Sequence, residues 1–469
     1  MNSSLRSAIA GTALVAGLAS PLTAQQAKNV ILMISDGQGF NAVTATEYYT
    51  GSKAVYEGSD FVKVSMQTSS ANNPAGYDPI AMWSDTNYQK IKPTDSASAA
   101  TAMYTGVKNY DGQVNWSTTG QPLTTFFELA GQAGKAVGAV SSVEFSHATP
   151  AAVVSHNSSR NNYSAIANEA INNSHVTVLM GAGHPLYNDN GVLRTTGINY
   201  SYVGGQTTWN DITDADGANG FAFVDTTAGF EALANGSMNV DKVIGVAQAG
   251  TTLQQGRSNP VGNFDPLNTN VPTLSTMTKA ALNVLDNDTD GFAVMIEGGA
   301  IDWAGHANQI DRTIEEQKDF NASVQSVVDY LNAGTNGNNW SNTLLIVTAD
   351  HETGGLWGAA NTFDQVGNNG VGVLPTVGYS SGDHTNVLVP LYAKGAGAEA
   401  FLAATIGTDT QLATRYGVDA AFNQYIDNTS VYDVVVGATA IPEPSTYAAI
   451  FGAAVLGLAG FRRMRRRAA

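Results

Sequence analysis

The stretch NVILMISDG at residues 29–37 decides the fold class of this 469-residue chain. It begins with an almost unbroken apolar run, as in a strand that is buried on both faces of a parallel sheet. Five further runs share this character: residues 136–140, 176–180, 292–296, 343–347 and 387–392. Helical segments at residues 125–133 and 313–333 alternate with them, and each opens with a Thr-x-x-Glu capping box. The pattern predicts an α/β, doubly wound fold with a mostly parallel central sheet, helices on both faces and surface insertions over the ligand-binding edge.

An acidic residue follows three of these apolar runs. Asp36 comes after the first run, Glu297 after residues 292–296, and Asp350 shortly after residues 343–347. In a doubly wound sheet the carboxyl ends of parallel strands meet at one edge, so the three carboxylates should converge. Converging buried carboxylates repel one another unless cations lie among them. The sequence therefore predicts a cation site at this edge.

A second decisive stretch is KPTDSASAATAMYTG at residues 92–106. Asp95 and Ser96 open a run of small residues that can form a close-packed helix, which places the Ser96 hydroxyl at or beside the helix N-terminus. Free N–H groups and a partial positive charge at that end suit an anionic substrate. An ordinary N-cap before an Ala-rich helix is the alternative interpretation of a lone Asp-Ser pair. The other motifs of the chain favour the functional interpretation.

The composition narrows the chemistry further. The chain has no cysteine, which excludes disulfides and thiolate metal sites. Its formal net charge is -17, with only 13% charged residues, and this acidic balance argues against a nucleic-acid partner. An anionic substrate must therefore be attracted locally, by bound metal ions or by a particular arginine.

Nitrogen and oxygen ligands cluster in the second half of the chain. Asp302 and His306 lie four residues apart, so on a helical turn both point the same way. Asp350 and His351 are adjacent at a strand end, and His384 precedes the last apolar run. Mixed nitrogen and oxygen sets suit zinc, whereas a hard cation prefers oxygen ligands. Candidate oxygen ligands for such a cation are Asp36, Thr149 and Glu297.

Together these motifs resemble those of the alkaline phosphatase family, in the family order, from residue 29 to about residue 394. The matching positions are Asp36-Gly37, Asp95-Ser96-Ala97, His147-Ala148-Thr149-Pro150, Arg160, Glu297-Gly298-Gly299, Asp302, His306, Thr348-Ala349-Asp350-His351 and His384-Thr385. The resemblance implies a metal-dependent phosphomonoesterase that acts at alkaline pH through a phosphoserine intermediate and releases inorganic phosphate. Small phosphomonoesters would be its substrates.

The resemblance also implies two Zn²⁺ ions and one Mg²⁺ ion. The implied ligands are Asp302, His306 and His384 for one zinc, Asp36, Asp350, His351 and the Ser96 oxygen for the other, and Asp36, Thr149 and Glu297 for magnesium. Ser96 would be the nucleophile, Arg160 would clamp the phosphoryl oxygens and Asp95 would position that arginine. A cation on a serine oxygen lowers its pKa, and the guanidinium fork matches phosphate geometry.

Two positions depart from the best-known bacterial pattern of the family. His147 stands where that pattern has aspartate, and Trp303 stands where it has lysine. Other branches carry this pair, including branches whose activity responds to magnesium or cobalt, so cobalt is an alternative for the third metal. His147 could contact that ion or only its waters, and Trp303 could equally be a packing residue. His156, His175 and His184 lie outside the motifs and are expected outside the site.

Both ends of the chain resemble export signals. Residues 1–24 read as a secretory signal peptide, with an ordinary N-terminal helix as the alternative. Residues 441–469 resemble a PEP-CTERM sorting segment with its motif, a short transmembrane helix and an Arg-rich tail, and a plain tail anchor is the alternative. Residues 25–440 would then form the catalytic domain, with a Gly- and Asn-rich insertion at about 185–270. The signals imply the periplasm, cell surface or extracellular matrix of a Gram-negative bacterium, and an exosortase-type processing enzyme as a partner.

Two alternatives to the phosphomonoesterase remain. A phosphodiesterase or sulfatase of the same superfamily is the nearer one, although diesterases commonly use threonine without the arginine at position 160. A non-catalytic envelope or matrix protein that retains the fold is the other, and the presence of every expected ligand argues against it. The resemblance also makes a homodimer possible, but no stretch of the sequence identifies an interface.

Overall fold

An eleven-stranded mixed sheet forms the centre of the molecule in a computed structural model that describes residues 26–214, 217–258 and 266–439. In chain order the described strands are β1 (Asn29–Ser35), β2 (Val62–Gln67), β3 (Ala136–Glu144), β4 (Val176–Ala182), β5 (Ala222–Val224), β6 (Val243–Val246), β7 (Phe292–Gly298), β8 (Thr343–Thr348), β9 (Glu352–Thr353), β10 (Leu356–Trp357), β11 (Gly378–Tyr379), β12 (His384–Thr385), β13 (Val389–Gly395), β14 (Gly407–Thr408) and β15 (Gln424–Asp427). The order across the large sheet is β14-β15-β2-β13-β8-β1-β7-β3-β4-β6-β5. The short strands β10 and β11 form one separate pair, and β9 and β12 form another.

Helices connect the strands and pack against the sheet. The α-helices of the described residues are α1 (Phe40–Thr50), α2 (Pro79–Ser84), α3 (Ser96–Thr105), α4 (Phe126–Gln132), α5 (Ala148–Ala151), α6 (Tyr163–Asn172), α7 (Gln206–Thr213), α8 (Thr227–Ala234), α9 (Leu274–Leu285), α10 (Ala300–His306), α11 (Ile310–Ala333), α12 (Ala400–Ala403), α13 (Leu412–Tyr416) and α14 (Ser430–Thr439).

Strand β1 shows that both faces of the sheet are buried. Its alternate side chains Leu32 and Ile34 join one hydrophobic cluster, with residues from α3, α4, α6 and α14. Ile31 and Met33 point into a second cluster, with residues from α9 and α11. A strand buried on both faces has no polar alternation, which explains the continuous apolar run of the sequence. The predicted α/β fold with helices on both faces is confirmed.

The direction of β13 differs from the prediction. Residues 387–392 were expected to form a parallel strand, but β13 begins at Val389 and runs antiparallel to both of its neighbours, β8 and β2. A parallel return requires a crossover, usually a helix. The described connection from β8 to β13 contains only the short strands β9 to β12, so the chain comes back in the opposite direction.

The two predicted capping boxes have different outcomes. Thr125 caps α4 as predicted, because its Oγ1 accepts from Glu128 N at 3.1 Å while the Glu128 carboxylate accepts from Thr125 N at 2.9 Å. The prediction of a capping box at Thr313 is wrong, because α11 already begins at Ile310. Inside the helix the Thr313 hydroxyl donates to Gln309 O at 3.0 Å instead.

The Gly- and Asn-rich segment at about 185–270 is only partly a surface insertion. It supplies β5 and β6, which extend the large sheet beyond β4 by parallel pairing. The predicted signal peptide at residues 1–24 and the sorting segment at 441–469 lie outside the described residues. Within the part of the chain that the structure describes, no helix is both long and apolar enough to cross a membrane.

Candidate active site

Three acidic residues converge at the carboxyl edge of the central strands. β1 pairs in parallel with β7 and β8, and Ile34 lies opposite both Glu297 and Thr348. This register brings Asp36, Glu297 and Asp350 to one edge of the sheet, where each is at most 1% exposed. The convergence predicted from the sequence follows directly from the parallel pairing.

Burial and mutual repulsion make the ionised forms of these groups costly without a cation. Burial, together with the charges of Asp350 and Asp302, raises the pKa of Asp36 well above its ordinary value. Burial likewise raises the pKa of Glu297 to about 8 and that of Asp350 to about 6. Positive charge among them would reverse these shifts, because an opposite charge within a few ångströms favours the carboxylate.

The donor atoms at this edge fit bound cations. Asp36 Oδ1, Thr149 Oγ1, Glu297 Oε1 and Asp350 Oδ2 are buried, and none has a hydrogen-bond partner among the described residues. Buried polar atoms in folded proteins are normally paired, so a group of unpaired oxygens needs an explanation such as a bound ion. These oxygens belong to Asp36, Thr149 and Glu297, the ligands predicted for magnesium, and to Asp350, one of the ligands predicted for the second zinc. They therefore have the chemistry that the predicted metals require.

Ser96 lies beside the inner group of metal-ligand candidates. Asp36, Asp350 and His351 present ligand atoms that all lie within 4.8 Å of one another. His351 Nε2 is 3.4 Å from Asp36 Oδ1 and 3.3 Å from Asp350 Oδ2. The Ser96 Oγ atom lies 3.1 Å from the same nitrogen. A cation held here would touch the serine oxygen.

The outer group contains two histidines and Asp302. His306 Nε2 and His384 Nε2 are 3.1 Å apart, and each lies 3.4 Å from Asp302 Oδ1. Each ring donates its Nδ1–H to a backbone carbonyl, His306 to Gly382 O at 2.9 Å and His384 to Thr94 O at 2.7 Å. These bonds leave the Nε2 lone pairs directed at the group, as in metal-binding histidines.

Helix α3 presents Ser96 and also fixes the nearby arginine. Ser96 is the first residue of α3, as predicted, and Asp95 caps the helix by accepting from Ser98 N at 2.9 Å. The other Asp95 oxygen accepts from Arg160 Nη1 at 2.9 Å and from Gly112 N at 3.0 Å. Burial alone would raise the pKa of Asp95, but the charge of Arg160 and the hydrogen bonds from Arg160 and Ser98 together outweigh burial and hold the pKa below the usual range. The ion pair thus stays charged inside the site.

His147 lies beside Arg160, and Trp303 lies beside His147. Burial and the charge of Arg160 lower the pKa of His147 to about 3, so its ring is neutral. His147 Nε2 is 3.3 Å from Arg160 Nη2, and its Nδ1 is buried without a hydrogen-bond partner in the described chain. The indole of Trp303 meets the imidazole edge-on, with ring centroids 5.9 Å apart. A neutral imidazole can accept from water or bind a cation.

These groups open into a cavity of about 630 Å³. Its described lining is Ser96, His147, Arg160, Gln255, Asp302, Trp303, His306, Ala307, Asp383 and His384. The sequence interpretation did not select Gln255, Ala307 or Asp383. Asp383 had a usable signal, because it directly precedes His384, and its carboxylate lies within 4.8 Å of the ligand atoms of His306 and His384. Gln255 had no such signal in the sequence, because it belongs to a loop without a motif.

The three other histidines are not among the residues that line the cavity, as expected. His156 is held by Glu169 at 2.9 Å and by Glu128 at 3.3 Å. His184 is buried, and its Nδ1 accepts from Leu186 N at 3.1 Å. The other ring nitrogen of His184, Nε2, lies 3.5 Å from Asp225 Oδ2, and His175 packs against Gly131 on α4.

Comparisons with known proteins identify the family of this chain. The family described as Alkaline phosphatase matches residues 27–400. Alkaline phosphatase 3 of Bacillus subtilis is 30% identical over 74% of this chain and 68% of its own length. Alkaline phosphatase of Escherichia coli K12 is 28% identical over 72% of each chain.

Solved structures share the fold. A TAB5 alkaline phosphatase mutant, described with Mg bound in its M3 site, superposes with a TM-score of 0.62 at 24% identity, over 89% of this chain and 99% of that one. The cold-active alkaline phosphatase of a Shewanella species gives a TM-score of 0.64 at 23% identity, over 88% and 100%. From the family match and the relatives, the chain belongs to the alkaline phosphatase family and is a metal-dependent phosphomonoesterase.

Proposed function

We propose that Ser96 is the nucleophile of this phosphomonoesterase. The observation that carries the proposal is the position of its Oγ, 3.1 Å from His351 Nε2, beside the buried carboxylates and at the N-terminus of α3. Attack of the Ser96 oxygen on phosphorus breaks the ester bond and forms a phosphoserine, and the proton lost by the Ser96 hydroxyl ends on the oxygen of the leaving alcohol. A water oxygen then attacks the phosphoserine, the bond between phosphorus and the Ser96 oxygen breaks, and one proton of that water ends on Ser96 as inorganic phosphate is released. The helix N-terminus favours the anionic group throughout.

Arg160 would bind the phosphoryl oxygens, and Asp95 would position it. One guanidinium nitrogen of Arg160 is committed to Asp95 at 2.9 Å, which fixes the plane of the fork. Its second terminal nitrogen, Nη2, lies 3.3 Å from His147 Nε2, and Arg160 lines the same cavity as Ser96. A fixed guanidinium presents two parallel donors to a phosphate, so little side-chain entropy is lost on binding.

Three metal sites complete the proposal. Asp302, His306 and His384 would hold one zinc, and Asp36, Asp350, His351 and Ser96 the other, while Asp36, Thr149 and Glu297 would hold magnesium. When bound, such ions lower the pKa of a nucleophile oxygen and neutralise the charge of the leaving oxygen. The unpartnered carboxylate and hydroxyl oxygens support the assignment. His147 would contact the third ion or only its waters, with cobalt as the alternative to magnesium.

The test is hydrolysis of p-nitrophenyl phosphate at alkaline pH by the purified protein and its Ser96→Ala variant. We expect activity that is lost on chelation and restored by zinc with magnesium or cobalt, and at least a roughly 1,000-fold loss in the variant. The matched control is Ser98→Ala, which removes a hydroxyl from the same buried helix turn and should keep at least about a tenth of the activity. Equal activity of Ser96→Ala and wild type would reject the nucleophile.

A second measurement separates the proposal from its alternatives. Bis-p-nitrophenyl phosphate and p-nitrophenyl sulfate present the same leaving group in a diester and a sulfate ester. We expect the monoester to be hydrolysed at least about 100-fold faster than either, since Arg160 and the metal ions together match a dianionic group. A faster diester or sulfate reaction would favour the other enzymes of the superfamily, and metal binding without any turnover would favour a non-catalytic matrix protein.

We propose that the protein is exported, with residues 1–24 as a signal peptide, 25–440 as the catalytic domain and 441–469 as a PEP-CTERM sorting segment. The charge pattern of both ends supports this proposal. Arg6 precedes the apolar part of the predicted signal peptide, and the Arg-rich tail follows the apolar part of the predicted sorting segment. Mass spectrometry of the mature protein from a host with an exosortase-type enzyme should show that both ends have been removed. An intact C-terminus in the membrane fraction would indicate a tail anchor.

The homodimer implied by the resemblance is tested by light scattering.

A further inference from the structure

Three groups of possible metal ligands in the described chain share histidines with one another. We call them the buried group, the middle group and the rim group, and they consist of Asp36, Asp350 and His351; of Asp302, His351 and His384; and of His306, Asp383 and His384, respectively. Within each group, one ligand atom of every member lies within 4.8 Å of the others. His351 thus belongs to the buried and middle groups, and His384 belongs to the middle and rim groups. Neither the middle group nor the rim group coincides with a proposed zinc set.

The exposure of the ligands increases from the buried group to the rim group. Each member of the buried group is at most 1% exposed, whereas Asp302 and His384 of the middle group are 5% and 8% exposed. His306 and Asp383 of the rim group are exposed, and both line the cavity. An ion that arrives from solvent therefore meets the rim group first.

The shared histidines bring consecutive groups close together. The rings of His351 and His384 are stacked, with their centroids 3.6 Å apart, and His384 Nε2 lies 3.1 Å from His306 Nε2. A ligand that belongs to two groups can hold an ion while the other ligands change. Zinc has no strong geometric preference and can expand from four ligands to five, so its ligands can be exchanged one at a time.

Asp383 and Asp302 would hold an ion at opposite ends of the burial scale. Asp383 Oδ1 accepts from His384 N at 2.8 Å, which keeps this exposed carboxylate beside the histidine that the middle and rim groups share. Asp302 is buried, and its Oδ1 accepts from the Thr353 hydroxyl at 2.5 Å. Water competes for an ion at an exposed carboxylate more than at a buried one, so Asp383 suits brief contact and Asp302 suits retention.

From this arrangement we infer that the three groups form a route by which zinc enters and leaves the site, with Asp383 as the entry ligand at the rim. His306, Asp383 and His384 would take up an incoming ion, and Asp302 would then replace Asp383. The middle group would connect this outer position with the buried group through His351. The inference rests on the proposed zinc sites and adds a loading route to them.

The experiment measures both directions of zinc exchange on the purified full-length protein. An excess of a coloured chelator reports release from the zinc-loaded protein, mixing of the stripped protein with zinc reports uptake, and titration in a zinc buffer gives the equilibrium affinity. In Asp383→Asn we expect uptake and release to slow together by about 10-fold or more, because a contact made only during transfer contributes equally to both rates. The equilibrium affinity should change by less than about fivefold, the most that one exposed charge contributes.

Matched variants separate the entry ligand from a general effect of charge. Asparagine keeps an oxygen that can accept from His384 N, and Asp383→Glu keeps the carboxylate and should exchange zinc faster than Asp383→Asn. Asp364→Asn removes another exposed charge between β10 and β12, but Asp364 is not among the residues that line the cavity, so this variant should exchange zinc like the wild type.

The rate of release decides the outcome. Release from Asp383→Asn at the wild-type rate would overturn the inference, because Asp383 would then take no part in transfer. Faster release would also overturn it, because Asp383 would then be a permanent ligand or only an attractive charge. A wild-type protein that retains fewer than two zinc ions by elemental analysis would instead reject the proposed zinc sites themselves.

Discussion

The Thr353 hydroxyl donates a hydrogen bond of 2.5 Å to Asp302 Oδ1, and both side chains are buried. The same oxygen lies 3.3 Å from His351 Nδ1. The pairing of β9 with β12 also places Thr353 opposite His384. One hydroxyl therefore contacts a candidate ligand of each zinc site, and its strand pairs with the strand that carries a third. Thr353 would be a positioning residue, because it would act on bound metals only through these side chains.

Replacing Thr353 with valine should weaken zinc binding. Valine keeps the shape but removes the hydrogen bonds that orient Asp302 and His351, and loss of such an outer partner typically costs about 10- to 100-fold in metal affinity. The measurement is the rate of zinc transfer to a coloured chelator, with the retained zinc counted by elemental analysis. Thr353→Ser retains the hydroxyl and should behave like the wild type. Equal transfer rates for the valine and serine variants would show that the hydroxyl does not orient the ligands.

Asp95 has two functions that different substitutions should separate. Asparagine can still cap α3, because its carbonyl oxygen accepts from Ser98 N, but it can no longer pair with the charge of Arg160. We expect Asp95→Asn to raise the inhibition constant for inorganic phosphate about 10-fold or more, as for loss of a charge-assisted hydrogen bond. Urea unfolding should show that Asp95→Ala is about 0.5–2 kcal/mol less stable than Asp95→Asn. If both variants bind phosphate like the wild type, Asp95 does not position the arginine.

The central part of the site could be predicted because it depends on local patterns. The apolar runs of β1, β7 and β8 identify buried parallel strands, and parallel strands necessarily bring the residues that follow them to one edge. Ser96 was placed correctly because a proline and an Asp-Ser pair before small residues are a local signal for a helix start. In both cases the decisive information lies within a few residues of the functional group.

The remaining features depend on contacts between distant parts of the chain. The antiparallel direction of β13 follows from the absence of a helix in its connection to β8, which the apolar run itself does not reveal. Strand β5 has only three residues, too few for a recognisable period. Gln255 reaches the cavity through a loop, and Thr353 reaches Asp302 across 51 positions of sequence. Periodicity contains no information about such partners.

Removal of the metals should destabilise the fold as well as abolish activity. Four buried oxygens have no hydrogen-bond partner among the described residues, so the cations would be bound by the folded chain and not by the unfolded one; they are Asp36 Oδ1, Thr149 Oγ1, Glu297 Oε1 and Asp350 Oδ2. Zinc at about 1,000 times its dissociation constant would then add about 4 kcal/mol to the free energy of unfolding. Urea unfolding with and without zinc after chelation measures this difference. Asp36→Asn is the control, because it weakens two sites and should reduce the difference, and identical curves for stripped and reloaded wild type would contradict the prediction.

A cluster remote from the metals should make stability depend on alkaline pH. His156 bridges α4 and α6, where it is held by Glu128 and Glu169. Burial lowers the pKa of His156, but the hydrogen bonds to the two glutamates outweigh this effect and raise the pKa to about 10. A histidine whose pKa is raised in the folded state adds to the free energy of unfolding. This stabilisation is complete below the unfolded-state pKa near 6.5 and is lost as the pH rises towards 10.

We therefore expect the wild type to be about 1–3 kcal/mol more stable than His156→Gln at pH 6, with the difference shrinking steadily between pH 7 and pH 10. Urea unfolding at a series of pH values measures both proteins under the same metal loading. His175→Gln is the matched control, because no ion pair of the described residues joins His175 to a carboxylate, so this variant measures the same replacement without the two glutamates. A difference for His156→Gln that stays constant between pH 6 and pH 10 would contradict the prediction, because it would show that the imidazole binds its proton no more tightly in the folded chain than in the unfolded one.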